Sequence, residues 1–218
     1  LSKNLSEFAD YITINISSPN TPNLRDFHQT NNLKKVLISV KNGIAKSKSL
    51  DLQLPIFLKI APDISKNDLK QIIETANENN ISGLIISNTT VDRNKELQSD
   101  NLHETGGLSG RPLFNKSTNF LALASKIIKI KKYNLYLIAA GGVSDSKSAY
   151  AKILCGAHLV QLYSSMTFDG PLIAENILKG LLQLMNRDKI SSIKDVRGKA
   201  SNLEAAMKIA NYGFVDNL

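Results

Sequence analysis

The run YITINISSPNTP, residues 11–22, ends a β-branched strand in a cluster of short polar side chains that crosses a proline. Thr13, Ile14 and Ile16 favour an extended, half-buried strand, and Ser17, Ser18, Pro19, Asn20 and Thr21 favour a turn at its carboxyl end. In parallel α/β architectures ligands sit beyond that end of the strands. Alone, the cluster reads as an ordinary loop. Its weight comes from what accompanies it. PIFLKIAPD at 55–63, GLIISNTT at 83–90, ETGGLSGRPL at 104–113, AAGGVSD at 139–145 and GAHLVQLYSSM at 156–166 are each a strand-like run entering a polar or glycine-rich loop, or such a loop alone.

Between these strings the hydrophobic period lengthens from two to 3.6, the pattern of βα units around a parallel sheet. Five strands are expected, near 11–16, 55–60, 83–87, 135–140 and 158–163. The intervening helices carry apolar stripes: Leu33, Val36, Leu37 and Val40; Leu69, Ile72, Ile73 and Ala76; Phe120, Leu121, Ala124, Ile127 and Ile128. Ser65 and Asp68 have the spacing of a capping box. A fourth helix runs from near Ser146 to Cys155, with Gly156 suited to end it. Pro171 suits the first turn of a fifth, whose Ile177, Leu178, Leu181, Leu182 and Met185 are expected to cover the sheet. Residues 186–202 read as a polar lead-in to a last short helix. A (β/α)₈ barrel takes roughly 250 residues. The expected fold is therefore α/β, a partial TIM barrel of about five parallel βα units forming one incomplete domain over residues 1–218.

Composition narrows the function. Of 27 basic residues 22 are lysines, scattered among Asn and Ile, so the net charge of +8 reads as a solvated basic surface and not as a nucleic-acid site. Attraction to anionic lipid headgroups stays open. A single cysteine forms no internal disulfide. Cys155 and His158 make a lone C-x-x-H at a helix-to-strand turn with no second ligand pair, which favours packing over metal. No apolar run reaches transmembrane length, and the opening LSKNLSEFADY is no signal-peptide core. Neither GGLSG nor AAGGV fits the dinucleotide fingerprint or the P-loop.

In order and spacing, the six strings resemble the quinone-linked (class 2) dihydroorotate dehydrogenases, FMN enzymes of pyrimidine biosynthesis, from about Ala9 to about Gly170. The resemblance implies oxidation of dihydroorotate to orotate with quinone as acceptor. It also implies a chain that begins just before the fourth barrel strand. Three strands, the membrane-associating helices and a substrate-gripping lysine would then lie outside it, or on a separate amino-terminal segment. By family the enzyme is membrane-associated, at a bacterial or mitochondrial inner membrane, only through those helices. Rival readings are a non-catalytic remnant and another FMN barrel oxidoreductase.

The resemblance also implies roles. Ser18 matches the catalytic serine of the SSPNT string, with Thr21 as proton-relay candidate; on the residues alone Ser18 is a turn hydroxyl. Asn15, Asn20, Asn88 and Thr89 match substrate contacts, Asn15 also touching flavin, and asparagine amides suit an imide edge because they both donate and accept. Lys59, at the end of the apolar strand FLKIAP, matches the cation beside the flavin N1 and O2 region; a structural salt bridge is the alternative. Ser87 matches a cofactor hydrogen bond. Gly110, Gly142, Tyr163 and Ser164 match the FMN phosphate and ribityl contacts, with Gly141 and Gly142 allowing close backbone approach.

Overall fold

The computed structural model describes residues 1–19, 21, 27–28, 30–47, 54–93, 97–98 and 100–212. Five parallel strands, β1 (Ile12–Asn15), β2 (Ile56–Ile60), β3 (Gly83–Ile86), β4 (Tyr136–Ala140) and β5 (Leu159–Gln161), form one sheet in sequential order. A short helix α1 (Ser2–Leu5) precedes them. Helices α2 (Thr30–Ala45), α3 (Lys66–Glu78), α4 (Phe114–Lys131) and α5 (Ser146–Leu154) provide the crossovers, and α6 (Ser164–Asp169), α7 (Ile173–Arg187) and α8 (Leu203–Ala210) follow β5. This is the expected partial barrel.

Register explains how one sheet serves two purposes. Ile14 pairs with Leu58, Leu58 with Leu84 and Leu84 with Leu137, an aliphatic row that points at the helices and is buried in the main core. One residue further along, Asn15 pairs with Lys59, Lys59 with Ile85, Ile85 with Ile138 and Ile138 with Leu159. Because side chains alternate faces, this second row lies inside the barrel curve. There Phe57, Ile85, Ile138 and Ala140 form a small separate cluster beneath the polar mouth.

The helices are fixed as the sequence suggests. The Ser65 hydroxyl accepts from the Asp68 N–H at 3.1 Å and the Asp68 carboxylate accepts from the Ser65 N–H at 3.3 Å, a complete capping box. Gly156, at φ +112°, turns the chain out of α5 into β5. The expected stripes of α2, α3 and α4 reach the core.

The fifth-helix expectation needs correction. Ile173, Ile177 and Leu184 of α7 are buried and Leu181 packs beside them, but Leu178 and Leu182 are 62% and 60% exposed. They lie on the flank turned away from α5, against which α7 packs. β5 also stops at Gln161 instead of 163, because Ser164 opens α6, an element the periodicity does not announce. Helix α7 starts at Ile173, two residues beyond Pro171. Within the lead-in 186–202, Val196 and Ala200 are buried in the core.

Candidate functional site

A cavity of about 590 Å³ opens at the carboxyl ends of β2 to β5, within the size range of small-molecule sites, roughly 300–1,000 Å³. Lys59, Ser87, Asn88, Thr89, Gly110, Gly142, Tyr163 and Ser164 all line it. The residues singled out in five separate strings therefore share one mouth.

The end of β1 is tied to that mouth through hydrogen bonds. Asn88 Nδ2 donates to Ser17 Oγ at 2.9 Å, and Ser17 Oγ donates to Asn15 Oδ1 at 2.5 Å. Ser18 follows Ser17 and is half-buried; Thr21 is exposed. Asn20 lies outside the described residues. The backbone continues the sheet past β3: the Ser87 N–H donates to the Ala140 carbonyl at 3.0 Å and the Asn88 N–H to the Ile60 carbonyl at 2.9 Å. These two bonds carry the strand direction one step beyond its end, so the Ser87 and Asn88 side chains are held at the rim.

Lys59 is half-buried, and burial pulls its pKa below the ordinary lysine value. Among the described residues no carboxylate forms an ion pair with it, so the salt-bridge alternative is not realised there. Its ammonium is a positive charge that a ligand can answer.

Two turns close the far side. Gly142 has φ +78°, and a Cβ there would overlap the Phe114 backbone at the start of α4. Gly110, at φ +73°, precedes the single 3₁₀ turn that leads into α4. Ser164 Oγ donates to Ser109 Oγ at 2.9 Å, linking the Gly110 loop to α6, and Ser165 Oγ donates to the Val143 carbonyl. Tyr163 is 87% exposed.

The loop after β3 is clamped from outside. Asp63 accepts from Thr90 Oγ1, from the Val91 N–H at 3.0 Å and from Lys116 Nζ at 2.5 Å, while Lys116 also pairs with Asp92. Burial works against the Asp63 carboxylate, but these bonds outweigh it and hold its pKa below the usual value. Arg93 reaches the Glu104 and Gly106 carbonyls, and Thr90 bridges antiparallel to Leu108. Asn88 and Thr89 are thus presented by a braced loop.

The family model for dihydroorotate dehydrogenase matches residues 1–185. The chain belongs to the dihydroorotate dehydrogenase family. It is 44% identical over 192 residues to the dihydroorotate dehydrogenase (quinone) of Bartonella tribocorum, covering 88% of this chain and 52% of that one. With the dihydroorotate dehydrogenase (quinone) of Agrobacterium fabrum it shares 41% identity over 202 residues, 92% of this chain and 55% of the relative. Among solved structures, the DHODH of Eimeria tenella in complex with ferulenol superposes with a TM-score of 0.82 at 33% identity, covering 90% of this chain and 55% of that one. The chain spans about half the length of the relatives it matches.

Within this dihydroorotate dehydrogenase framework the pocket also contains residues that sequence reasoning passed over. Ser109 and Gln161 line it, and Ser17 joins Asn15 to Asn88. A signal existed for two of them. Ser17 continues the inward alternation Thr13, Asn15, and Gln161 lies two residues past inward-facing Leu159. Cys155 is packed in the core and His158 Nδ1 accepts from the Leu137 N–H at 3.1 Å, so each has a structural task.

Proposed function

We propose that this chain carries the flavin- and substrate-binding side of a quinone-dependent dihydroorotate dehydrogenase that oxidises dihydroorotate to orotate in pyrimidine biosynthesis. The observation that carries the reading is the convergence, in one cavity, of the Lys59 ammonium, without a carboxylate partner among the described residues, the Asn88 amide and two positive-φ glycine turns. That donor set suits FMN. Gly110, Gly142, Tyr163 and Ser164 would hold its phosphate and ribityl chain, Ser87 and Asn15 its ring system, and Lys59 the edge that gains negative charge on reduction. Bound FMN would supply the hydride-accepting chemistry.

The protein's own residues supply the rest. Ser18 takes the proton from C5 of dihydroorotate. A serine hydroxyl is a poor base, so it acts through neighbouring hydroxyls or water, with Thr21 as the relay candidate. Asn15, Asn20, Asn88 and Thr89 hold the imide edge and carboxylate of the substrate by matched donors and acceptors. Quinone removes the electrons, which puts the whole enzyme at a membrane where quinones dissolve. Among the described residues no helix is long and apolar enough to cross one.

A second reading, a remnant that keeps the motifs without a closed site, is favoured by the openness of Tyr163 and Asn15. Anaerobic single-turnover measurements separate the two. In protein completed with the amino-terminal portion of a relative, dihydroorotate should bleach bound flavin and NADH should not. Ser18→Ala should slow that bleaching by at least about a hundredfold with flavin still bound. Normal bleaching in the variant removes Ser18 from the base role; none in the parent protein favours the remnant.

A further inference from the structure

Lys152, in the last turn of α5, is fully buried. Its Nζ donates to Ser117 Oγ at 2.6 Å and lies 5.1 Å from the centre of the Phe114 ring. Among the described residues no carboxylate is paired with it. Cys155 on the same helix offers no counter-charge, because burial pushes its thiol up to about 12, and burial likewise pulls the Lys152 amine down to about 7. A lysine so placed is costly, and Met would fill the space without the penalty.

What Lys152 touches gives it a task. The Ser117 hydroxyl, holding the lysine on one side, faces the Gly141 carbonyl at 2.9 Å and the Phe114 carbonyl at 3.1 Å. In a trans peptide the N–H points opposite the C=O. Fixing the Gly141 carbonyl toward Ser117 therefore fixes the Gly142 N–H on the other edge of a turn that lines the cavity.

We propose that Lys152 is a positioning residue for the phosphate group of the pocket's ligand, acting through Ser117 to orient the Gly141–Gly142 peptide toward the anion. The inference rests on the flavin reading above and goes beyond it, since Lys152 itself never meets the ligand. The charge of a bound phosphate then offsets the buried amine in place of a carboxylate, none being paired with it among the described residues.

The test compares FMN with riboflavin, which lacks the phosphate, by fluorescence titration of the protein completed with the amino-terminal portion of a relative, and of its Lys152→Met and Ser117→Ala variants, with folding of each checked by circular dichroism. Both variants should lose at least about tenfold in FMN affinity while riboflavin affinity stays within about twofold of the parent chain. Equal losses for the two flavins would mean a merely structural role and overturn the proposal, as would undiminished FMN preference. A parent protein that binds both flavins alike would overturn this inference and leave the flavin reading standing; one that binds neither would overturn the flavin reading and this inference with it.

Discussion

Two lysines define the chemistry at the scale of single residues, and they differ in what surrounds them. Lys59 looks into an open cavity, whereas Lys152 is sealed between α4 and α5. The sealed one has a thermodynamic signature. Unfolded, its amine keeps the ordinary value of 10.5; folded, burial lowers that to about 7. Between about pH 7 and 10.5 folding must therefore strip a proton from it, at a cost that grows as the pH falls; below about 7 the folded amine keeps its proton and the cost of burying that charge is constant. Of the groups packed around it, Ser117 and Phe114 from α4 carry no charge in that window; the thiol of Cys155, which caps its helix, is pushed by burial from 9.0 up to about 12 and so costs stability above pH 9, but that contribution is common to both proteins and cancels in their comparison. Lys152→Met should accordingly stabilise the ligand-free chain by a few kcal/mol at pH 6 to 7, with the gain fading toward pH 10. Urea melts of both proteins across that range check it; a gain independent of pH would show that packing, not charge, is the cause. Sequence alone did not expose Lys152, because a lysine among AYAKIL reads as an ordinary exposed helix position.

Among the elements, the passage of each apolar strand into a polar or glycine-rich loop made the site legible. Thr13, Ile14 and Ile16 marked β1 and FLKIAP marked β2 with Lys59 near its end; which face each residue takes follows from the register, where Asn15 pairs with Lys59. The capping residues Ser65 and Gly156 located their helix ends by local chemistry. Two features stayed hidden: α6 is too short to show a period, and the brace of Asp63, Lys116 and Arg93 joins the connections after β2 and β3 to the first turn of α4, contacts distant in sequence. One close contact in that brace yields a prediction. A Cβ on Gly107 would overlap the Thr89 hydroxyl and its Cβ. Gly107→Ala should push Thr89 aside and weaken orotate binding by about tenfold, with flavin content unchanged. Calorimetric titration with orotate decides it, and unaltered affinity would show that Thr89 moves without consequence for the ligand.

For the molecule as a whole, the sheet has two open edges among the described residues, β1 and β5, and apolar side chains stand exposed near both. Tyr11 is 49% exposed beside β1; Leu159 of β5 and Leu178 and Leu182 of α7 are open on the other flank. Helical periodicity placed Leu178 and Leu182 on a stripe but could not tell which part of it would find a neighbour. Open parallel edges invite pairing with further strands. The half-open inner face also leaves water access to a reaction that needs a dry, ordered geometry. On the proposed function, the five described strands form the flavin and substrate side of a dihydroorotate-oxidising barrel, and the facing wall lies outside the described residues. Quinone-dependent oxidation of dihydroorotate should be measured with the purified chain, alone and together with the amino-terminal portion of the Bartonella tribocorum relative. The account predicts negligible turnover by the chain alone, and flavin absorbance with turnover once the portion is added. Full turnover by the chain alone, or a completed assembly that binds flavin yet never reduces it with dihydroorotate, would contradict it.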